Sequence, residues 1–71
     1  METIKFAENL KSLRKAKKVS QAELAKRIDV STGIVSLWES GKREPTMRSL
    51  IALSVCFGVT LDALVGFNAA V

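Results

Sequence analysis

Residues 20–43 read Ser20-Gln-Ala-Glu-Leu-Ala-Lys-Arg-Ile-Asp-Val-Ser-Thr-Gly-Ile-Val-Ser-Leu-Trp-Glu-Ser-Gly-Lys-Arg43. The order of polar, small and apolar side chains in this stretch decides the fold. Ser20 is followed three residues later by Glu23, the spacing of a capping box, in which each side chain takes up the other's free backbone N–H. Leu24, Ala25 and Ile28 then fall at the offsets of one helical face. Ser31 offers a second N-cap, and Val35 and Trp38 share a face at i, i+3. Gly41 stands where a helix ending in the left-handed conformation favours glycine. The stretch is therefore expected to form two short amphipathic helices, 21–28 and 32–40, joined by a tight turn. Ala25 is small where the two would cross, and Val30 plugs the turn. Two helices joined in this way can lay the second into a DNA major groove.

Helical periodicity continues on both sides of this motif, with no alternating strand pattern. Upstream, Ile4, Phe6, Leu10 and Leu13 give an apolar stripe to a helix expected over 3–17. Lys11, Arg14, Lys15, Lys17 and Lys18 crowd its last turns, where cations oppose the negative end of the helix dipole. Downstream, Lys42-Arg43-Glu44-Pro45 is a polar loop. Thr46 caps a fourth helix, Met47–Phe57, ended by Gly58, with Leu50, Ile51, Leu53 and Phe57 expected in the core. Thr60 caps a fifth, Leu61–Val65, with Asp62 in its first turn. The expected fold is all-α, a compact five-helix bundle. Residues 1–66 form its one domain, with the motif at about 20–40, and 67–71 a short C-terminal tail. Connections this short between helices this short suit such a bundle.

The chain has 71 residues, enough for one domain whose core is feasible without disulfides. Its single cysteine, Cys56, excludes an intramolecular disulfide. In an apolar helical stretch it reads as a small packed hydrophobe. With one cysteine and no histidine there is neither a zinc ligand set nor a nucleophile–base pair. No catalytic residue, metal or cofactor is expected. No apolar run reaches the roughly 18–20 residues of a membrane span, and residues 1–6 lack an apolar signal core. A cytoplasmic protein is expected. Net charge is +4, unevenly spread: residues 1–48 hold all eleven Lys and Arg and six of the seven acids, and residues 49–71 only Asp62. A basic half joined to a near-neutral apolar half suits a domain with one side facing a polyanion and the other buried or facing a partner. A basic excess alone is equally compatible with ordinary solubility.

Four segments carry a resemblance: Phe6…Leu10-Lys-Ser-Leu-Arg14, Ser20-Gln-Ala-Glu-Leu-Ala25, Trp38-Glu-Ser-Gly-Lys-Arg43…Pro45, and Gly58-Val-Thr-Leu-Asp-Ala-Leu64. In these the chain resembles the phage-repressor-like (lambda repressor/Cro-like, XRE-type) helix-turn-helix DNA-binding family, from about residue 6 to 66. It departs from the pattern at Asp29, where the family usually has glycine, and at Lys18, where it often has Gly or Asn. The site of Asp29 tends to need a positive φ, which Asp tolerates better than most residues.

The resemblance implies roles for particular residues. Gln21 is expected to bond a DNA phosphate or to steady a neighbouring base-reading side chain. Ser31, Thr32, Gly33, Ser36, Leu37 and Ser40 are expected at the DNA, with Thr32, Gly33, Ser36 and Leu37 facing the groove. None of these is an Arg, Gln or Asn able to pair with a base in bidentate fashion, so shape and water are expected to matter more than usual. Leu37 stands either against a thymine methyl, or in partial packing or a protein contact. Gly33 either admits close backbone approach or is simply tolerated. Lys42 and Arg43 are expected on the sugar-phosphate backbone, with Lys17 and Lys18 as weaker candidates. Lys11, Lys15, Lys26 and Arg27 read as a solvated face. Arg14 and Glu39 match residues that form a buried ion pair in the family, and Trp38 reads as core.

The implied function is a sequence-specific double-stranded-DNA-binding transcriptional regulator, bacterial or phage-encoded, acting as a repressor by occupying a promoter. Family members commonly pair through the C-terminal end. That implies a homodimer through Leu61, Leu64, Val65 and Phe67 on a two-fold-symmetric operator, its recognition helices about 34 Å apart. The same residues would otherwise close a monomer's core. Two rival readings stand: a restriction-controller or antitoxin-type regulator, and a protein-interaction module that keeps the scaffold without DNA readout.

Overall fold

A computed structural model describes residues 5–66. Five helices run in the order α1 (Phe6–Ala16), α2 (Gln21–Arg27), α3 (Thr32–Glu39), α4 (Met47–Phe57) and α5 (Leu61–Val65), and no strand occurs among the described residues. The all-α bundle expected from the periodicity is therefore found. Thr3 and Ile4, expected in the first helix, lie outside the described residues, as do Phe67, Val71 and the rest of the tail. The first helix starts later than its periodicity implies. Lys5 is its N-cap, with no side-chain cap, and its backbone N–H donates to the Val65 carbonyl at 2.7 Å. That bond ties the start of α1 to the end of α5.

The other four helices begin by one device. Ser20, Ser31, Thr46 and Thr60 are extended, and each hydroxyl accepts the backbone N–H three residues on, from Glu23, Ile34, Ser49 and Ala63. At α2 the Glu23 carboxylate also accepts from the Ser20 backbone N–H at 3.1 Å, completing the capping box. Four helix ends share another device. The N–H of Val19, Val30, Lys42 and Val59 reaches back to the carbonyl of Arg14, Ala25, Leu37 and Ser54 respectively. The residue before each, Lys18, Asp29, Gly41 or Gly58, is left-handed, which is the Schellman ending. Asp29 and Lys18 thus hold positive φ angles, 58° and 57°. Connections between helices are short because caps and endings nearly abut.

Leu10, Leu24, Val35, Leu53 and Leu64 are the largest fully buried side chains. Phe6 meets Trp38 edge to face, with ring centroids 6.3 Å apart. Ile28, Val30, Leu50 and Cys56 are partly buried against this core. Two expectations are overturned. Ile51 is not core but 50 % exposed: Leu50, Leu53 and Phe57 take the inward stripe of α4, and Ile51 lies about 100° around the helix from Leu50. Leu64 cannot serve an interface between copies, because it is completely buried in the domain's own core. Val65 is half-buried, and its carbonyl is taken by Lys5.

Candidate nucleic-acid interface

α3 is held from behind. Val35 and Trp38 face the core at 0 % and 2 % exposure, and α3 packs on both α1 and α2. At 100° per residue, Thr32, Ser36, Ser40, Gly33 and Leu37 follow one another around the opposite arc. All five are exposed. The arc's side chains are short apart from Leu37. A Cβ at Gly33 would meet nothing within 4 Å, so no packing inside the chain requires glycine there. Two of the serines predicted at the DNA use their hydroxyls on the backbone: Ser31 accepts from Ile34 N–H at 3.2 Å and Ser40 donates to the Leu37 carbonyl at 3.1 Å. Thr32 and Ser36 present their hydroxyls on the exposed arc.

Glu39, on the inward edge of α3, joins three helices. Arg14 of α1 donates to its carboxylate through Nε at 2.6 Å and Nη2 at 2.9 Å, a bidentate fork of the strong kind. Arg14 Nη1 also donates to the Val19 carbonyl at 2.8 Å. Gln21, the first residue of α2, donates from Nε2 to Glu39 Oε1 at 3.1 Å. The side chains of Arg14 and Glu39 are 12 % and 4 % exposed. Burial alone would push the Glu39 carboxyl up; the hydrogen bonds from Arg14 and Gln21, with the charges of Arg14 and Lys11, outweigh it and hold the group below its ordinary range. The bond to Glu39 in turn raises Arg14. Glu23 is likewise lowered by its bonds to Ser20 at the α2 cap. Gln21 is thus half-buried with its amide fixed in direction, a placement its position as a polar first-turn residue does not disclose.

Lys42 and Arg43 are both exposed but not equivalent. Lys42 closes the ending of α3 through its backbone bond to Leu37. Arg43 borders two shallow depressions beside Trp38, one shared with Val30, Ile34 and Thr46 and the other with Phe6 and Gly41. Ile34 and Trp38 lie on the far side of α3 from the exposed arc. Lys17, Lys18, Lys11, Lys15, Lys26 and Arg27 are all exposed. Sequence reasoning passed over Arg48, which is exposed in the first turn of α4 just past the Lys42–Arg43 loop. Its signal was available: it is the one charged residue in an otherwise uncharged helix. Among the described residues no group of His, Cys, Asp or Glu could hold a metal ion. No helix among them is long and apolar enough to cross a membrane.

Comparison with known proteins places this geometry. The helix-turn-helix family model HTH_3 matches residues 10–64. The HTH-type transcriptional activator BcrR of Enterococcus faecalis is 44 % identical over 86 % of this chain, which spans 30 % of that protein. The chain spans about half or less of the first curated relatives it matches. A transcriptional regulator from Listeria innocua superposes with a TM-score of 0.91 at 33 % identity, covering 97 % of this chain and 64 % of that one. The P22 c2 repressor, solved in complex with a synthetic operator, superposes with a TM-score of 0.83 at 35 % identity, covering 89 % of this chain and 96 % of that one.

Proposed function

Since the chain belongs to the helix-turn-helix family, we propose that it is a sequence-specific double-stranded-DNA-binding transcriptional regulator that lays α3 in the major groove. The observation that carries this reading is the exposed arc of α3, backed by buried Val35, Trp38 and the Arg14–Glu39 pair. A helix read by DNA must present one face while the other is locked, since base readout depends on side chains held in register.

In this reading Thr32 and Ser36 meet base edges through hydroxyls, and Thr32 and Leu37 offer methyl groups to thymine. Gly33 lets the backbone come close. Ser31 and Ser40 act through the helix ends they stabilise, beside the groove walls. Gln21 uses one amide N–H on Glu39 and turns the other to a phosphate. Lys42 contacts the sugar-phosphate backbone, Arg43 contributes less, and Arg48 joins them at the groove edge. Repression by occupying a promoter needs nothing beyond such a domain, whereas activation needs a further surface that engages the transcription machinery. The site of action is the cytoplasm, where the DNA lies, and no catalytic step enters the mechanism. Two copies on a two-fold-symmetric operator would place their α3 helices about one helical turn apart.

The short side chains of the arc favour one competing reading, a protein-interaction module on the same scaffold. Selection of bound duplexes from a randomised DNA pool near physiological salt separates the two. Enrichment of an inverted repeat, its half-sites about one turn apart, is expected. A pool that stays random after repeated selection would overturn sequence-specific binding and leave the interaction module.

A further inference from the structure

Two residues on the exposed arc of α3 are not accounted for by the fold. Gly33 lies inside the helix and is not among the glycines with positive φ, which are Gly41, Gly58 and Gly66. A Cβ there would meet nothing within 4 Å. Neither backbone conformation nor packing calls for glycine, although glycine weakens a helix relative to alanine. Leu37 is 37 % exposed, while Val35 and Trp38 of the same helix are buried. A single exposed leucine is ordinary, but this one stands four residues from Gly33, one turn along the same stripe. Helical side chains lean toward the N-terminus, so Leu37 extends along the stripe toward Gly33 without coming within 4 Å of the open Cβ position. The two residues form an apolar notch, with the Gly33 backbone as its floor and Leu37 as its wall. The Leu37 carbonyl already accepts from the Ser40 hydroxyl at 3.1 Å and from the Lys42 backbone N–H at 3.0 Å. The arc is thus divided between a hydroxyl row, Thr32 and Ser36, and an apolar row, Gly33 and Leu37.

We propose that this notch receives the 5-methyl group of one thymine in the operator half-site, and that Leu37 is the residue that selects it. The inference rests on the proposed placement of α3 in the major groove and names the base feature read there. Of the four bases, thymine alone presents an apolar group in that groove, the methyl on C5. An occupant of the notch must be apolar, because a polar group buried there without a partner is costly. It must also be small, because the space is what one absent side chain leaves on a helix. A base methyl meets both requirements and arrives with the DNA that the rest of the arc faces. Lys42, exposed and bonded through its backbone to Leu37, sets a positive charge beside this end of α3, where phosphates would be drawn. A protein partner fits less well, since one leucine beside a glycine falls far short of the several hundred Å² of apolar surface that marks such an interface. Glycine at position 33 has a purpose in this arrangement: any Cβ would stand where the methyl enters. Burying one methyl group corresponds to about a fourfold change in affinity.

The test uses the whole chain and the duplex enriched from a randomised pool. Each thymine of the half-site is replaced in turn by uracil, which removes the methyl and leaves the base pair intact, and affinity is read by fluorescence anisotropy. One position is expected at which uracil weakens binding about fourfold. At that position a 5-methylcytosine–guanine pair should bind more tightly than a cytosine–guanine pair by a similar factor, since cytosine then carries a methyl on the same carbon. Leu37→Ala should bring the thymine-to-uracil ratio at that one position close to one and leave the ratios elsewhere unchanged. Gly33→Ala, which puts the protein's own methyl group into the notch, should lose the same preference. Both residues are exposed, so circular dichroism of the variants should match the parent chain. Three results would overturn the proposal: a half-site without thymine, a duplex that tolerates uracil at every position, or a thymine preference that Leu37→Ala leaves intact. The last would assign the methyl contact to Thr32. An enriched duplex indifferent to uracil would sink the notch alone, whereas a pool that stays random would sink sequence-specific DNA recognition and the notch with it.

Discussion

Two residues in this chain occupy backbone conformations that suit them poorly. Lys18 and Asp29 sit at left-handed helix endings with φ near 57° and 58°, where a Cβ crowds the following carbonyl and costs about 1–2 kcal/mol. Asp tolerates that region better than Lys does. Thermal or urea unfolding should therefore show Lys18→Gly stabilising the domain by up to about 1 kcal/mol, and Asp29→Gly by less. Equal losses of stability in both would mean that the Schellman endings hold these side chains for another reason. Gly33 is the reverse case. No atom within 4 Å of its missing Cβ requires glycine, and glycine inside a helix costs about 1 kcal/mol relative to alanine. Gly33→Ala should raise stability by about that amount while weakening DNA binding, if close approach to the groove is what keeps the glycine. Stability and affinity rising together would leave Gly33 with no part in recognition.

Among the elements, the connection of α1, α2 and α3 through Arg14, Glu39 and Gln21 decides how firmly α3 is presented. Removing one partner of a buried pair strands the other charge and costs about 3–5 kcal/mol. The sign of its pH dependence follows from the lowered Glu39 carboxyl. A carboxylate whose folded pKa lies below its unfolded value stabilises the fold above the unfolded value and loses that contribution as pH falls through the folded one. For Glu39 the loss begins below its ordinary value of 4.5. Denaturation followed across acid pH should show the wild-type chain losing stability there. Glu39→Gln should be less stable at neutral pH, flatter in its acid response, and close to wild type at the acid end. A gap that does not narrow with acid would show that the carboxylate charge is not what joins the helices. Glu23, lowered by the α2 cap, works in the same direction, so some acid slope will remain in the variant.

For the whole molecule, charge is segregated. Every Lys and Arg falls in residues 1–48, and the exposed apolar Ile51 and Val55 lie on α4 beyond them. DNA binding by such a surface is dominated by phosphate contacts that release counterions, so affinity should fall steeply with salt. Measured by fluorescence anisotropy over a salt series, Lys42→Ala should weaken binding to all sequences and reduce the salt slope by about one. Arg43→Ala should do less, because Arg43 borders the depressions beside Trp38 instead of the arc side of α3. A larger effect from Arg43 would place the DNA on the other flank of the loop.

Local chemistry was legible in the chain itself. Hydroxyl caps at Ser20, Ser31, Thr46 and Thr60, endings at Gly41 and Gly58, and helical periodicity are interactions among residues a few positions apart, so they can be read in order. They determined five helices, the two-helix motif and the burial of Val35 and Trp38; the family resemblance, in turn, marked Asp29 and Lys18 as departures from its pattern. Only the tertiary structure decided what depends on residues far apart. It set Gln21 against Glu39, moved Leu64 into the core and turned Ile51 outward. Periodicity shows that a helix has an apolar face; where apolar residues encircle it, as on α4, only the neighbouring helices determine which side is covered. That is why the face of α3 proposed to meet DNA could be placed from sequence, while the outward turn of Ile51 on α4 appeared only once the helices were packed.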